Sequence, residues 1–552
     1  MARDLAIEIE SFDLPDGVTM GDPGEVTVSI TNVGDRRVGG RVDLNLYASS
    51  DSVINTRVLE RTEKEVNDGL LTTVEGVRLR GLRPGESRTV TIDYENITSY
   101  VPPGSYYLIA EIDGDSLRPR QDSNPDNNFD AELVSSPNTD VVLDWMATGM
   151  NLSSNEYLYD EFEEVGAAPP QGTRAGAFLA SSMYNVYAGI TGEFEAYGID
   201  LSEINMSTEG ISLEAAIAGA AYTSLAELFP EQRDQLNEQL GSSIDEIEAD
   251  PAAEMMGMAY GMRVAKELLL SREDELETDD PDNYPFESLD PNDPFFWGPD
   301  DNGSGISVGA GYGNDAEPWA IDSTDEIIAL SAPDPRDSEA YIQDLQAVAA
   351  LGGKEDTELT TITRTPDQAE IAKFYFIDRG DSYKPNKHLN HMLAEISIRE
   401  ELSLEDNIQA FFLTNIALAD AIQVAWDAKY THQIPRPSQP IKELLDPEWE
   451  NFLEDPPFPD YVSGHGTMVM AVAPIWEELF GENYAFDVVS PDTPGIVRSV
   501  ESFEQLAEEF AFSRVFSGVH TIKGAVTDTQ IFGEAVAEQV LAKLAPDVEP
   551  LV

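Results

Sequence analysis

Over the first 134 residues, apolar positions alternate with polar ones. Leu5, Ile7 and Ile9, then Val26, Val28 and Ile30, Val42, Leu44 and Leu46, and Val90, Ile92 and Tyr94 recur at every second position, the period of strands with one face buried. Turn chemistry separates these runs at Gly21-Asp22-Pro23-Gly24, Asn32-Val33-Gly34-Asp35, Arg83-Pro84-Gly85-Glu86 and Pro102-Pro103-Gly104, a spacing suited to an antiparallel sandwich. Ser135 to Thr139 reads as a linker. Beyond it the period becomes helical, with helices expected over Ala175–Ile190, Leu213–Phe229, Ala252–Leu270, Pro366–Phe376, His388–Arg399, Leu404–Tyr430, Gly464–Phe480, Phe503–Phe516 and Ala525–Leu544. The expected fold is multidomain: an all-β immunoglobulin-like sandwich over residues 1–136, then a mainly α-helical bundle over 140–552. A stretch rich in Asp, Pro and Gly, from about Asp274 to Tyr312, is expected to lack regular structure.

The length of 552 residues agrees with two or more cores. With 33 Lys+Arg against 104 Asp+Glu, the formal charge is -71, which disfavours nucleic acid and anionic membranes as partners. Acidity spread through folded-looking sequence suits a salt-rich setting, and the acidic loop could also take up Ca2+, although its spacing is not that of an EF-hand. Without cysteine there can be no disulfide, zinc thiolate, iron–sulfur cluster or Cys nucleophile. No apolar run approaches the roughly 20 residues needed to span a bilayer, and the first residues carry no signal-peptide pattern. The sequence reads as that of a soluble protein, although a leader removed before residue 1 would leave the same text.

Three segments near the C-terminus concentrate groups suited to an oxyanion. In Trp426-Asp427-Ala428-Lys429-Tyr430-Thr431-His432-Gln433-Ile434-Pro435-Arg436-Pro437, a cation on a helix precedes an Arg where proline breaks the pattern, so the two charges can converge at a helix end. In Phe458-Pro459-Asp460-Tyr461-Val462-Ser463-Gly464-His465-Gly466-Thr467, Ser463 and Gly464 stand at an expected helix N-terminus, where hydroxyl, free N–H groups and the dipole favour an anion. Ser513-Arg514-Val515-Phe516-Ser517-Gly518-Val519-His520 adds a guanidinium and an imidazole. Taken singly, each piece has an ordinary structural reading as an ion pair, a cap or a core histidine.

In this order, K-x6-R-P, S-G-H and S-R-x5-H resemble the three-part signature of the vanadium-dependent haloperoxidase and type-2 phosphatidic acid phosphatase (PAP2) superfamily. Asp140-Val141-Val142-Leu143-Asp144-Trp145, Pro169-Pro170, Met183-Tyr184-Asn185-Val186-Tyr187, Leu228-Phe229-Pro230-Glu231-Gln232-Arg233, Glu370-Ile371-Ala372-Lys373-Phe374-Tyr375 and Pro385-Asn386-Lys387-His388-Leu389-Asn390 extend the resemblance over residues 140 to the end. The N-terminal stretch resembles CARDB modules through Thr31-Asn32-Val33-Gly34, Pro103-Gly104-Ser105-Tyr106-Tyr107 and Asn124-Pro125-Asp126-Asn127-Asn128-Phe129. Such modules accompany exported proteins, so the resemblance implies a secreted or cell-surface setting.

The superfamily resemblance implies that Lys429, Arg436, Ser463, Gly464 and Arg514 bind the oxygens of vanadate, or of phosphate in the same pocket. It implies that His520 is the protein ligand to vanadium and His465 the acid–base group, with Lys429 also acting in catalysis. Trp426 and Phe458 would line a halide pocket, the alternative for both being ordinary core packing. Hydrogen peroxide, a halide and an organic acceptor would be the reaction partners, and association as a homo-oligomer stays open. The sequence departs from the signature where the family places an Asp four residues after the ligand histidine. Here that position is Gly524, the nearest carboxylate on that side is Asp528, and a partner for the imidazole must come from elsewhere. The aromatic residue that usually precedes the first Arg-Pro is replaced by Pro435. His388 and His391, spaced i and i+3, read as structural rather than as a metal pair, and His432 as a rim residue.

Three functions compete: a vanadate-dependent haloperoxidase making hypohalous acid from halide and peroxide; a phosphatase with His520 as nucleophile, passing through a phosphohistidine; and a non-catalytic surface protein whose sandwich does the binding.

Overall fold

The computed structural model describes the chain except residues 1–2, 15–22, 55–68, 96–102, 114–122, 156–168, 274–288, 290–295, 299–315, 378–383, 491–492, 494 and 547. Among the described residues, seven strands come first: β1 Leu5–Asp13, β2 Pro23–Asn32, β3 Arg41–Ser49, β4 Gly69–Arg78, β5 Ser87–Glu95, β6 Ser105–Ile112 and β7 Phe129–Ser135. They form two antiparallel sheets, of order β1-β2-β5 and β4-β3-β6-β7. The alternating positions Leu5, Ile7, Val26, Val28, Ile30, Val42, Leu44, Leu46 and Ile92 meet in one core between the sheets, as period-two patterning dictates. β4 carries a weaker alternation, with two register irregularities against β3.

The rest is mainly helical: α1 Val141–Asn155, α2 Pro169–Thr191, α3 Leu213–Leu228, α4 Arg233–Glu246, α5 Pro251–Ser271, α6 Thr324–Ile328, α7 Glu339–Gly352, α8 Pro366–Phe374, α9 Pro385–Arg399, α10 Leu404–His432, α11 Ser438–Leu444, α12 Gly464–Phe480, α13 Phe503–Ser517 and α14 Asp528–Leu544. A two-stranded antiparallel sheet, β8 Phe486–Val489 with β9 Val497–Val500, interrupts the helices. The helix expected from Ala525 starts instead as a π-helical turn over Lys523–Thr527.

The long helix α10 organises this half. It starts on a capping box, with the side chain of Ser403 accepting from the Asp406 N–H and Asp406 answering the N-cap N–H. It ends where Gln433 turns left-handed, at φ 47°. Contrary to the sequence expectation, α10 is apolar and long enough to cross a bilayer, but 94% of its most apolar window is buried inside the fold. Its apolar residues share one core with α2, α12 and α14, so packing rather than propensity stabilises it.

The sandwich rests directly on α1 and α4. Asn151 Nδ2 donates to the Ser105 carbonyl at 3.1 Å, Gln239 Nε2 to Ser105 Oγ at 3.0 Å and Tyr107 Oη to Glu238 at 2.8 Å. Ser50 Oγ donates to Asn155 Oδ1 at 2.6 Å, and Gln235 Nε2 to the Ser50 carbonyl at 2.8 Å. Gly104, at φ +133°, lies so close to α1 that a Cβ there would sit 2.5 Å from Ala147 Cβ and 2.7 Å from the Leu143 carbonyl oxygen, an approach only glycine allows.

Most of the Asp/Pro/Gly-rich stretch, and with it the calcium expectation, lies outside the described residues. Among the described residues, no group of three or more His, Asp or Glu is placed to hold a metal ion.

Candidate functional site

The three C-terminal segments are stitched to one another by backbone and side-chain hydrogen bonds. The first is anchored where α10 ends: proline at 435 and 437 cannot continue a helix, so the chain turns and Arg436 folds back beside Lys429. Lys429 Nζ donates to the carbonyls of Pro459 and Asp460, at 2.8 and 3.2 Å. Arg436 Nε donates to the Phe458 carbonyl at 2.8 Å, and the Asp460 N–H to the Ile434 carbonyl at 2.9 Å. These four bonds join the first segment to the second.

The second segment is joined to the third through Asp460 and His520, and the Ser463 N–H donates to the carbonyl of Gly524, just beyond the third, at 2.8 Å. Ser463 is the N-cap of α12, its hydroxyl accepting from the Gly466 N–H at 3.3 Å. Gly464 faces the indole of Trp426, where a Cβ would stand 2.9 Å from Cζ3. The third segment leaves α13 through Gly518, at φ +84°, with a Cβ there only 2.3 Å from the Gly352 carbonyl oxygen of α7. That turn places Val519 and His520 beside Arg436, whose Nη1 lies 2.9 Å from the Val519 carbonyl and 2.8 Å from His520 Nε2.

The structure thus gathers Lys429, Arg436, Ser463, Gly464, His465, Arg514 and His520, all buried. Lys429, Arg514, Arg436 and His465 all act electrostatically on His520. Trp426 and Phe458 flank the lysine, with ring centroids 5.1 Å apart and Lys429 Nζ 5.6 and 5.0 Å from them. His388 and His391 lie elsewhere. His388 Nε2 bonds the Val489 carbonyl at 2.6 Å, and His391 Nε2 lies 3.5 Å from Glu395. His432 is half-buried against Tyr461.

One member of the site had no role assigned from sequence. Asp460 Oδ1 lies 2.5 Å from His520 Nδ1, and its Oδ2 accepts from Thr521 Oγ1 at 3.2 Å. The nearest carboxylate in sequence, Asp528, is engaged elsewhere, accepting from Tyr461 Oη at 2.6 Å, Lys523 Nζ at 2.8 Å and Ser331 Oγ at 2.9 Å. Asp460 was visible in the sequence only as a carboxylate three residues before Ser463.

The charge state of His520 follows from its neighbours. Burial, then the positive charges of Arg436, Lys429 and Arg514, hold its pKa well below the usual range, so the ring is neutral. A guanidinium can only donate. Nε2 therefore carries the lone pair, and Nδ1 carries the proton that Asp460 receives. Burial pushes the Asp460 carboxyl up to about 7, against the pull of Arg436 and Lys429.

The donor set fits a small oxyanion built on a metal centre. Two guanidinium groups, an ammonium, a hydroxyl and a helix N-terminus suit the oxygens, and a neutral imidazole lone pair suits the metal. These cations are buried in a chain of formal charge -71, where ordinary surface ion pairing does not call for such a cluster. A small cleft reaches Asp460 and Thr521 from the side of Arg336, Tyr341, Asp344 and Lys523.

Residues 409–549 match the family model for the VCPO second helical-bundle domain. The chain is 27% identical to the vanadium chloroperoxidase of Curvularia inaequalis, over 33% of this chain and 40% of that protein. The match therefore spans less than half of the curated relative. The crystal structure of a bacterial vanadium-dependent iodoperoxidase superposes with a TM-score of 0.59 and 22% identity, covering 72% of this chain and 96% of that one. A CARDB domain from Pyrococcus furiosus aligns with 24% of this chain and 89% of its own length, at 19% identity and a TM-score of 0.16. The helical half accordingly has the fold of the vanadium haloperoxidases, and residues 409–549 within it match the second helical-bundle domain of vanadium chloroperoxidase.

Proposed function

We propose that the chain is a vanadate-dependent haloperoxidase, turning halide, hydrogen peroxide and a proton into hypohalous acid and water. The observation that carries this reading is the setting of His520, its Nε2 2.8 Å from Arg436 Nη1, its Nδ1 against Asp460, and the charges of Lys429 and Arg514 acting on its ring. In this reading Lys429, Arg436, Arg514, the Ser463 hydroxyl and the Gly464 N–H hold the oxygens of vanadate, and His520 Nε2 holds the vanadium. Vanadate, when bound, supplies Lewis acidity that makes peroxide electrophilic toward halide without a change of oxidation state.

The chain's own groups supply the rest. His465, in the first turn of α12, takes and returns the proton that peroxide must lose and water must gain. Lys429 adds a fixed positive charge that would stabilise the negative charge developing on the oxidant as halide attacks. The rings of Trp426 and Phe458 strip water from an approaching halide. A salt-rich, extracellular setting belongs to the same reading, suggested by the acidity of the chain and by a halide substrate.

A phosphatase is the second reading. It is favoured by the same Nε2 lone pair, which, with its ring partner a carboxylate, has the make-up of a nucleophile. The deciding experiment sets bromination of monochlorodimedone, with peroxide and vanadate, beside hydrolysis of p-nitrophenyl phosphate by one preparation. Bromination that requires vanadate supports the first reading; phosphate release without bromination replaces it with the second.

A further inference from the structure

Asp460 is held from three directions. Its N–H is tied to the Ile434 carbonyl, one carboxyl oxygen meets Thr521 Oγ1 and the other meets His520 Nδ1. With 1% exposure, it has little freedom to swing away. Its backbone carbonyl also receives Lys429 Nζ, so the loop that carries the carboxylate is the loop that seats the lysine.

We infer that Asp460 is the positioning residue of the site: by accepting the Nδ1 proton of His520, it fixes the tautomer and the ring orientation that leave Nε2 free to bind a metal centre. The inference rests on the haloperoxidase reading only for the identity of that centre. A neutral imidazole has one proton to place. With a carboxylate against Nδ1 and a guanidinium against Nε2, both neighbours demand the same placement. Removing the carboxylate removes one of the two constraints and leaves only the guanidinium to oppose rotation of the ring about its Cβ–Cγ bond. Partners of this kind, behind a metal-bound histidine, typically account for about 10- to 100-fold in metal affinity.

Vanadate and phosphate separate this role from a merely structural one. Both anions meet the same cations through their oxygens, but only vanadate gains from a bond to Nε2. Loss of positioning therefore weakens vanadate selectively. Loss of the surrounding fold weakens both, and loss of the carboxylate's negative charge alone strengthens both.

The test uses the full chain. In 15N-histidine-labelled protein without added anion, the two-bond 1H–15N spectrum reports the tautomer of each of only five histidines, and His520→Ala assigns the signal. The Nδ1–H form is expected for His520; the Nε2–H form or an imidazolium overturns the inference without any variant at Asp460. Titration calorimetry of Asp460→Ala is then expected to show vanadate weakened about 10- to 100-fold, with phosphate unchanged or tighter, and Asp460→Asn, which keeps an acceptor, is expected to recover part of the loss. Equal weakening of both anions, or no change in either, overturns it. Should the wild-type protein bind phosphate and not vanadate, the haloperoxidase reading falls while the tautomer still decides the role of Asp460.

Discussion

Arg436 Nη1 lies 2.8 Å from His520 Nε2, on the lone pair that any metal centre held by this imidazole must use. One lone pair serves one partner. Loading the site through that nitrogen therefore requires the guanidinium to withdraw and turn its donors toward the oxygens of the incoming anion. Arg436→Ala is expected to weaken phosphate by roughly 10- to 150-fold, the equivalent of the 1.5–3 kcal/mol typical of a charged hydrogen bond. Calorimetric titration checks this; an affinity within threefold of wild type would mean the guanidinium never reaches the anion.

Gly464 stands where the second segment meets Trp426. A methyl group there would lie 2.9 Å from the indole and 3.3 Å from Ile422 Cδ1, and neither a rigid ring nor a packed core yields easily. Gly464→Ala is expected to cost about 1–3 kcal/mol in urea unfolding, as overpacking does, and to alter the tryptophan fluorescence. An unchanged midpoint and spectrum would show that Trp426 is loosely held.

His388, whose ring packs against Phe510 as that of His465 does, sets a pH dependence of its own. Its ring is buried and neutral, and burial pushes its pKa down to about 3. Because the unfolded chain takes up the proton near pH 6.5 and the folded chain does not, the stability contributed is complete above about pH 6.5 and lost as the pH falls toward 3. The slope reaches at most about 1.4 kcal/mol per pH unit. His388→Phe is expected to flatten the loss between pH 6.5 and 5, as read from urea midpoints at several pH values, and an identical slope in wild type and variant would falsify the assignment.

Gly104 tests the seat of the sandwich. Its φ of +133° and its contact with Ala147 and Leu143 leave no place for a side chain. Gly104→Ala is expected to lower stability by about 1–3 kcal/mol and to quicken proteolysis between β7 and α1. A variant as stable and as protease-resistant as wild type would show that the contact is incidental.

Much of this architecture could be read from the text because it rests on local rules. Period-two patterning located four of the seven described sandwich strands, and helical patterning most of the long helices. β4 was missed because its alternation is weak and its register irregular. The helices α1 and α4 were missed because they are recognised by what they pack against: α1 is buried nearly all round, so it shows little contrast between faces. In the site, the cations and the two imidazoles were legible as motif positions, but Asp460 was not. Its bond to His520 spans 60 residues and exists because the loop before Ser463 is bonded to the segments on either side. The same packing gives Asp528 to Lys523 and Tyr461, which no spacing rule foretells.

The bonds of Asn151, Gln239, Glu238 and Asn155 to the edge of the sandwich have a mechanical corollary. A module on a slack tether lets its enzyme tumble about the point of attachment, whereas one seated on two helices transmits orientation as well as position. Whatever the strands come to rest against, the helical half meets it at a set angle.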